Sequence, residues 1–401
     1  MTNFAELKNA ITRLISKYAL IMDVQRVQQN MFLVFYGGVT VWNVIACCYL
    51  MFRKGNAIAP DITPPVRLRR WTAAFFAAMA LSHVWYMPMY ILTPGDDAYL
   101  SYLVGGMLDV MVVLPLAIVV LLVMLQDRPR PLWPAGVMVA PLGVAGAWCV
   151  ATRSVTVLPF VYAYFLLMCI GIMIFMVRET RRYGCWLHDN YADLEHKEVW
   201  QSLMVLAVML LAFNIYIFEI GGQAYEYVMQ LVDAMMICYF LWRTETLSDL
   251  SMVAHDAEYG QLHPADDTGK AENNNSSLSI RNKIGPLLRQ YCEEPQFYLQ
   301  NDISLSQLAR QIGINRVYLS QHFAQQGTTY NAYINGLRIH HFINLYQEAA
   351  AAHLPITVQQ LAFESGFRSY GTFNTAFKQS MGMTATKWMR NMTQQEQQPK
   401  T

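Results

Sequence analysis

The spacing of hydrophobic residues divides the chain into an apolar first part and a more polar second part. In the first part, apolar stretches of about 20 residues alternate with short polar loops, and a helix of that length spans the hydrocarbon core of a bilayer. Seven such stretches occur, at 31–52, 71–93, 101–125, 132–151, 155–177, 200–220 and 225–242. The pattern therefore predicts a bundle of seven transmembrane helices over residues 31–243.

After residue 280 a helical period takes over, and one short pattern occurs twice. A hydroxyl residue three positions before a glutamine predicts a helix N-cap with a capping box, and the glycine that follows can adopt the positive φ angle that ends a helix. The two copies are Ser304-x-x-Gln307-Leu308-Ala309-x-x-x-Gly313 and Thr357-x-x-Gln360-Leu361-Ala362-x-x-x-Gly366. Each copy predicts a helix followed by a tight turn.

A second helix is expected directly after each turn, over 315–325 and 369–380. Large apolar residues four positions apart predict one inward face on each of these helices. They are Leu319 and Phe323 in the first copy, and Phe373 and Phe377 in the second. Between the copies, residues 330–350 predict one connecting helix of roughly 30 Å. Because one turn of B-DNA is about 34 Å, such a connector can present two helices to successive major grooves.

The residues of this region also occur in a familiar order and spacing. They comprise Asn315 to Ser320, Tyr333 to Ile339, Gly366-Phe367, Phe373, Phe377-Lys378 and Gly382-Met383-Thr384. Together they resemble the DNA-binding domain of the AraC family of bacterial transcription regulators, over residues 281–390. The resemblance implies a tandem helix-turn-helix domain, placed here at 280–391. The predicted fold class is therefore all-α, a seven-transmembrane-helix bundle followed by a tandem helix-turn-helix DNA-binding domain.

The resemblance also implies which side chains meet DNA. Base-facing positions correspond to Val317, Ser320 and Gln321 in the first unit and to Tyr370, Thr372, Asn374 and Thr375 in the second, with Arg316 and Lys378 placed for phosphate. Gln and Asn suit adenine, the Thr methyl suits the thymine methyl, and Lys or Arg suits phosphate. Gln321 and Thr375 stand where the family often has Arg, the usual reader of guanine. For each of these polar positions, a solvated helix face is the alternative explanation.

Charge adds to this interpretation and sets an orientation. Residues 280–401 hold 11 Lys/Arg against 6 Asp/Glu, a surplus of five that favours binding to phosphates. The loops after the first, third and fifth apolar stretches hold eleven Lys/Arg, whereas the loops after the second, fourth and sixth hold only Arg153. Basic loops stay in the cytoplasm. We therefore predict a protein of the bacterial cytoplasmic membrane, with its N-terminus outside the cell and its DNA-binding domain in the cytoplasm.

Ionisable residues within the apolar stretches are candidates for sensing a signal, because burying them in lipid is costly. The deepest are Asp109 and Asp233, with His83 as a candidate partner. A hydrogen bond between helices is the alternative role for each.

Other segments complete the domain organisation. Residues 1–30 can form an amphipathic helix at the membrane surface or a short solvated helix, and residues 392–401 form a polar tail. Residues 244–279, with seven Asp/Glu against one Lys, predict a flexible acidic linker. The sequence contains no C-x-x-C, H-E-x-x-H, Walker or G-x-S-x-G motif, so we predict no catalysis, no metal site and no cofactor.

The combined prediction is a membrane-embedded one-component transcription regulator whose membrane domain senses a signal. Double-stranded DNA is the expected partner, and membrane lipid, a second copy of the chain, an unidentified signal ligand and RNA polymerase are further candidates. Two alternatives remain open at this point. The membrane part can be a transporter-like domain, or it can be an anchor from which proteolysis releases the DNA-binding tail.

Overall fold

The computed structural model describes residues 30–85, 103–154, 156–217, 222–250, 283–355 and 357–396. The described residues form helices, turns and one isolated antiparallel bridge between Tyr191 and Ser304. The predicted segment 1–30 and most of the predicted linker lie outside the described residues. The chain divides into two compact units, and the second combines residues 125–129, 178–199 and 249–401. The all-α prediction is confirmed.

The first unit contains the helices that cover the predicted apolar stretches. They are α1 (Asn30–Phe52), α2 (Val66–Trp85), α3 (Leu103–Met124), α4 (Trp133–Thr152), α5 (Leu158–Asn190), α6 (Gln201–Ile217) and α7 (Gly222–Thr246). Among the described residues, four helices are long and apolar enough to cross a membrane, namely α1, α3, α4 and α5. Helix α6 is apolar but shorter, and both α2 and α7 carry several charged residues.

Packing within the first unit leaves a large apolar surface. The rings of Phe75 on α2 and Phe240 on α7 meet edge to face, with centroids 5.1 Å apart, and both are buried. By contrast, Val34, Phe160 and Leu167 are exposed. Apolar side chains outside a well-packed interior are typical of a lipid-facing surface. Of the seven predicted crossings, four correspond to described helices that have the length and apolar composition of a membrane span.

The end of α7 is held by polar contacts inside the first unit. The Glu245 carboxylate is buried, lies 3.2 Å from Arg69 Nε and accepts a hydrogen bond from the Tyr49 hydroxyl at 3.2 Å. Thr244 and Thr72 share a hydrogen bond of 3.0 Å. Helix α7 therefore continues into the first residues of the stretch predicted as a linker.

The second unit contains a series of shorter helices. They are α8 (283–293), α9 (Leu305–Gln311), α10 (Arg316–Gln325), α11 (Tyr330–Ala351), α12 (Val358–Glu364), α13 (Tyr370–Met381) and α14 (Ala385–Glu396), with a 3₁₀ turn at Phe297–Leu299. One apolar core surrounds α9, α10 and the start of α11, and a second surrounds α12, α13, α14 and the end of α11. The four inward residues predicted on α10 and α13 are buried, as expected.

Helix α11 joins the two cores. Ile334 belongs to the first core, and Phe342 is buried in the second. The helix has 22 residues, which corresponds to about 33 Å at 1.5 Å per residue. Thr329 caps its start, since the Thr329 hydroxyl accepts a hydrogen bond from Ala332 N at 3.1 Å. The predicted connector is therefore one continuous helix.

Candidate DNA-binding interface

The first helix pair, α9 and α10, begins with the predicted capping box. Ser304 Oγ accepts a hydrogen bond from Gln307 N (3.3 Å), and Gln307 Oε1 accepts one from Ser304 N (2.8 Å). Gly313 follows α9 with a φ of +72°, a value that L residues with side chains rarely adopt. Asn315 then caps α10, since its side chain accepts a hydrogen bond from Val317 N at 2.8 Å. Local hydrogen bonds therefore mark where both helices start.

The second helix pair, α12 and α13, repeats this arrangement with one difference. Thr357 Oγ1 accepts from Gln360 N (3.2 Å), but the Gln360 amide donates to Glu364 Oε1 (3.0 Å) instead of reaching back to the cap. Gly366 has a φ of +84°. Ser369 Oγ accepts from Thr372 N (3.3 Å) and so begins α13. Each pair thus presents a second helix after a glycine turn.

The predicted DNA-contacting side chains lie on these second helices. Val317 and Tyr370 are 42% and 37% exposed. The other predicted positions are exposed or half-buried, namely Arg316, Ser320, Gln321, Thr372, Asn374, Thr375 and Lys378. No residue of this set is buried, so the helix faces that carry them are accessible from outside the second unit.

Two of these side chains contact a segment that precedes α6 in the chain, residues 190–199. Asn190 Oδ1 accepts hydrogen bonds from the Arg316 guanidinium, through Nε (3.2 Å) and through Nη2. The Thr372 hydroxyl donates to Glu195 Oε2 at 3.4 Å. The 190–199 segment therefore touches both second helices at positions predicted for DNA.

The 190–199 segment is also built into the first core. The backbone amide of Ala192 donates to Ile303 O (3.2 Å), and the Asn331 side chain donates to the carbonyls of Tyr191 (3.1 Å) and Ala192 (2.6 Å). The Ala192 side chain is fully buried among the core residues of α9, α10 and α11. Segment 190–199 thus contributes to the fold of the second unit.

A buried ion pair fixes this segment to α11. Arg338 and Asp193 are both 0% exposed, and Arg338 Nη1 lies 3.0 Å from Asp193 Oδ1. The other two nitrogens of the Arg338 guanidinium donate to backbone carbonyls, Nε to Tyr298 O and Nη2 to Gln300 O, each at 2.8 Å. Asp193 Oδ2 accepts from Asp302 N at 2.9 Å. Since a buried charge is costly unless it is paired and hydrogen-bonded, these groups depend on one another.

Asp302 joins the 190–199 segment to both helix pairs. Its Oδ1 lies 2.8 Å from Lys197 Nζ, and its Oδ2 pairs with Arg368 before α13. Partial burial of Asp302 opposes its charged form, but the nearby cations of Lys197 and Arg368 outweigh this effect and lower the pKa of Asp302 below its ordinary value. Ionised Asp302 is therefore the form that stabilises the fold.

The lowered pKa makes this contribution dependent on pH. A carboxyl group with a lowered pKa stabilises the fold above its unfolded value of about 3.9, and the contribution is lost as pH falls through the folded value. We expect Asp302→Asn to destabilise the second unit at pH 7 by roughly 0.2–1 kcal/mol, since the carboxylate is partly exposed. Asparagine is suitable because it tolerates the positive φ of 56° at this position.

Thermal unfolding of the full-length protein, followed by tryptophan fluorescence at pH 7 and pH 3, measures this contribution. The advantage of the wild-type protein over Asp302→Asn should be smaller at pH 3 than at pH 7, because the pH then approaches the lowered pKa of Asp302. An equal difference at both pH values would contradict the role of the charge.

The residues predicted for signal sensing lie in the first unit. His83 is buried, and its Nε2 lies 3.1 Å from Gln230 Oε1 on α7. Asp109 accepts a hydrogen bond from Trp85 Nε1 at 3.1 Å, and Asp233 lies close enough to Asp109 for the two charges to interact. Asp109 also begins a π-helical turn within α3, an irregularity that is frequent at functional sites.

The role of the 190–199 segment could not be predicted from the sequence, because its contacts are with residues that are remote along the chain. The Arg338–Asp193 pair spans 145 residues. One signal was present: Arg338 lies four positions from Ile334 and Phe342 on a helix, which places a charge on the buried face of α11. Among the described residues, no cluster of His, Cys, Asp and Glu could hold a metal ion.

Comparison with known proteins identifies the C-terminal region. Residues 308–391 match a family described as a helix-turn-helix domain, which is of the AraC type. No curated protein and no solved structure gave a match. The matched range includes α10 to α13 and the glycine turns of both helix pairs. Residues 308–391 are therefore an AraC-type helix-turn-helix domain, preceded in the chain by four helices that can cross a membrane.

Proposed function

We propose that the protein is a membrane-embedded transcription regulator that binds specific double-stranded DNA through two helix-turn-helix units. The observation that carries the proposal is the pair of capped second helices, α10 and α13, whose accessible faces are joined by one continuous helix of 22 residues. A rigid connector of about 33 Å matches the spacing of successive major grooves on one side of B-DNA.

The membrane part of the proposal rests on loop charge and on the apolar helices. Seven crossings, with the N-terminus outside, bring the helix-turn-helix domain and the eleven Lys/Arg residues between the predicted apolar stretches to the cytoplasm. Four helices have the length and composition for this role. Helices α2 and α7 then cross with their polar residues facing other helices, as His83 and Gln230 do. A tag at the C-terminus should accordingly be inaccessible to an external reagent in intact cells.

The sensing part of the proposal rests on polar groups within an apolar bundle. His83, Asp109 and Asp233 would change their partners when a ligand or a proton binds, and a change in helix packing would follow. Replacing Asp109 or Asp233 with asparagine should then alter target-gene expression without changing the DNA sequence that is bound.

A second copy of the chain would raise the affinity for DNA, because the charge surplus of one domain is modest.

Selection from a random-sequence duplex pool tests DNA binding directly. Full-length protein in nanodiscs should enrich duplexes with a two-part motif whose halves are about one helical turn, 10 base pairs, apart. Empty nanodiscs are the control. If the protein enriches no sequence over the starting pool, the proposed function is wrong.

Two substitutions on α13 separate base reading from phosphate binding. Asn374→Ala should cost about 1–3 kcal/mol on the selected duplex and relax the sequence preference in one half of the motif. Lys378→Ala should weaken binding to all duplexes and reduce the slope of log affinity against log salt by about 1. Fluorescence anisotropy at several salt concentrations measures both. The matched control is Lys387→Ala, an exposed lysine on the following helix, α14, which should leave both quantities nearly unchanged.

The arrangement of the second unit disfavours release of the tail by proteolysis. After cleavage in the predicted linker, residues 190–199 would stay on the membrane fragment. Release of the C-terminal fragment would therefore take the buried Arg338 away from the carboxylate of Asp193. An immunoblot of membrane and soluble fractions decides between the two possibilities. The proposal predicts full-length protein in the membrane fraction, whereas a stable soluble fragment would support release.

A further inference from the structure

We infer that the 190–199 segment competes with DNA for the second helices and so acts as an internal switch. This inference rests on the proposed function, because it assigns Arg316 and Thr372 to the DNA-binding face. The segment engages both side chains at once, Arg316 through Asn190 and Thr372 through Glu195. A DNA phosphate or base edge at these positions has to replace those contacts.

The polar groups of the 190–199 segment resemble those of the DNA with which the segment competes. Asn190 Oδ1 accepts two hydrogen bonds from one edge of the planar Arg316 guanidinium, through Nε and Nη2, as a phosphate oxygen would. Glu195 adds negative charge beside Thr372 on α13, and a carboxylate near a phosphate backbone opposes DNA binding by repulsion. A neutral amide holds a guanidinium more weakly than a phosphate does, so DNA can displace it.

Helix α5 gives the segment a direct link to the first unit. Asn190 is the last residue of α5, whose residues 158–177 belong to the first unit and whose residues 178–190 belong to the second. The 33 residues of α5 exceed by 13 the roughly 20 that span a bilayer core. Through this covalent connection, a change in the packing of the apolar part of α5 would act on the contact between Asn190 and Arg316. The switch thus changes DNA affinity without unfolding the domain.

The inner part of the segment acts as its anchor. The Asp193 carboxylate and the Ala192 backbone are tied to α11 and to residue 303, whereas Asn190 and Glu195 lie on either side of this anchor and reach the second helices. Breaking the outer contacts should therefore leave the anchor in place. This separation allows the switch to be tested with a folded protein.

Two substitutions at Asn190 are expected to act in opposite directions. Asn190→Ala removes the acceptor for Arg316, so affinity for DNA should rise about tenfold or more, because hydrogen bonds from a charged donor contribute more than neutral ones. Asn190→Asp places a full charge against Arg316 and should lower affinity by at least a similar factor. Glu195→Gln should raise affinity, since it removes a negative charge next to Thr372. The control is Asp189→Asn, which removes a charge from an exposed neighbouring position.

The experiment measures anisotropy of the duplex selected by the wild-type full-length protein, with every variant in nanodiscs. Retained amide protection in α11 shows that each variant is folded. Unchanged affinity in folded Asn190→Ala, Asn190→Asp and Glu195→Gln variants would overturn the inference. Weaker binding by Asn190→Ala would also overturn it, because Asn190 would then position Arg316 for DNA. If the wild-type protein selects no duplex, the proposed function itself fails.

Discussion

Replacing Asp193 with alanine is expected to destabilise the second unit by about 3–5 kcal/mol, the range measured when one partner of a buried ion pair is removed. Arg338 is 0% exposed and would keep its charge without the carboxylate. The amide of Asp302 would lose its acceptor as well. Amide hydrogen exchange of α9 and α11 in the full-length protein measures the effect, and a loss of this size accelerates exchange through unit opening by about two to four orders of magnitude.

Two further variants show whether the charge pair is the cause. Asp189→Ala removes a carboxylate of the same charge from an exposed position four residues earlier, and we expect a change within about 0.5 kcal/mol. Adding Arg338→Met to Asp193→Ala removes the unpaired charge and should recover part of the stability. If Asp193→Ala exchanges at the wild-type rate, the 190–199 segment is not part of the folded unit.

Substituting Gly366 with alanine should destabilise the second helix pair more than Gly313→Ala destabilises the first helix pair. Both glycines have a positive φ, +84° and +72°, so alanine at either position carries a backbone strain of about 1–2 kcal/mol. A Cβ at Gly366 would also lie 2.6 Å from Leu299 O and 2.7 Å from Leu299 Cα, whereas a Cβ at Gly313 meets no atom within 4 Å. Overpacking against backbone adds about 1–3 kcal/mol.

The expected totals are about 2–5 kcal/mol for Gly366→Ala and about 1–2 kcal/mol for Gly313→Ala. Gly313→Ala is therefore the matched control, because it shares the strain without the clash. Hydrogen exchange of α12 and α13 measures the effect of Gly366→Ala on the second helix pair, and exchange of α9 and α10 measures the effect of Gly313→Ala on the first. Equal destabilisation by the two changes would mean that the close approach of Gly366 to Leu299 does not contribute.

The helix starts and the glycine turns could be predicted from sequence because their causes are local. A capping side chain reaches amides two or three residues away, as Ser304 and Ser369 do, and a glycine turn depends on its own φ angle. The inward faces of α10 and α13 followed from a spacing of four residues, which a helix places on one side. These features need no knowledge of the remaining chain.

The buried face of α11 could not be predicted from the sequence. Its buried side holds Asn331, Asn335 and Arg338, which a hydrophobic pattern assigns to solvent. Their burial depends on partners from the 190–199 segment, which supplies two carbonyls and one carboxylate.

Similarly, charged residues in α2 and α7 lower the apolar character of these helices. Whether they cross a membrane depends on what their polar side chains face, which composition does not specify.

The central claim is that specific DNA is bound by a domain that remains attached to the membrane part of the chain. Genome-wide mapping of DNA cross-linked to the full-length protein in living cells tests it most directly, with an Asn374→Ala/Lys378→Ala double variant as the control. We predict discrete sites that share a two-part motif, with loss of these sites in the double variant and full-length protein in the membrane fraction. An even background in both strains, or sites occupied only by a soluble fragment, would contradict the account.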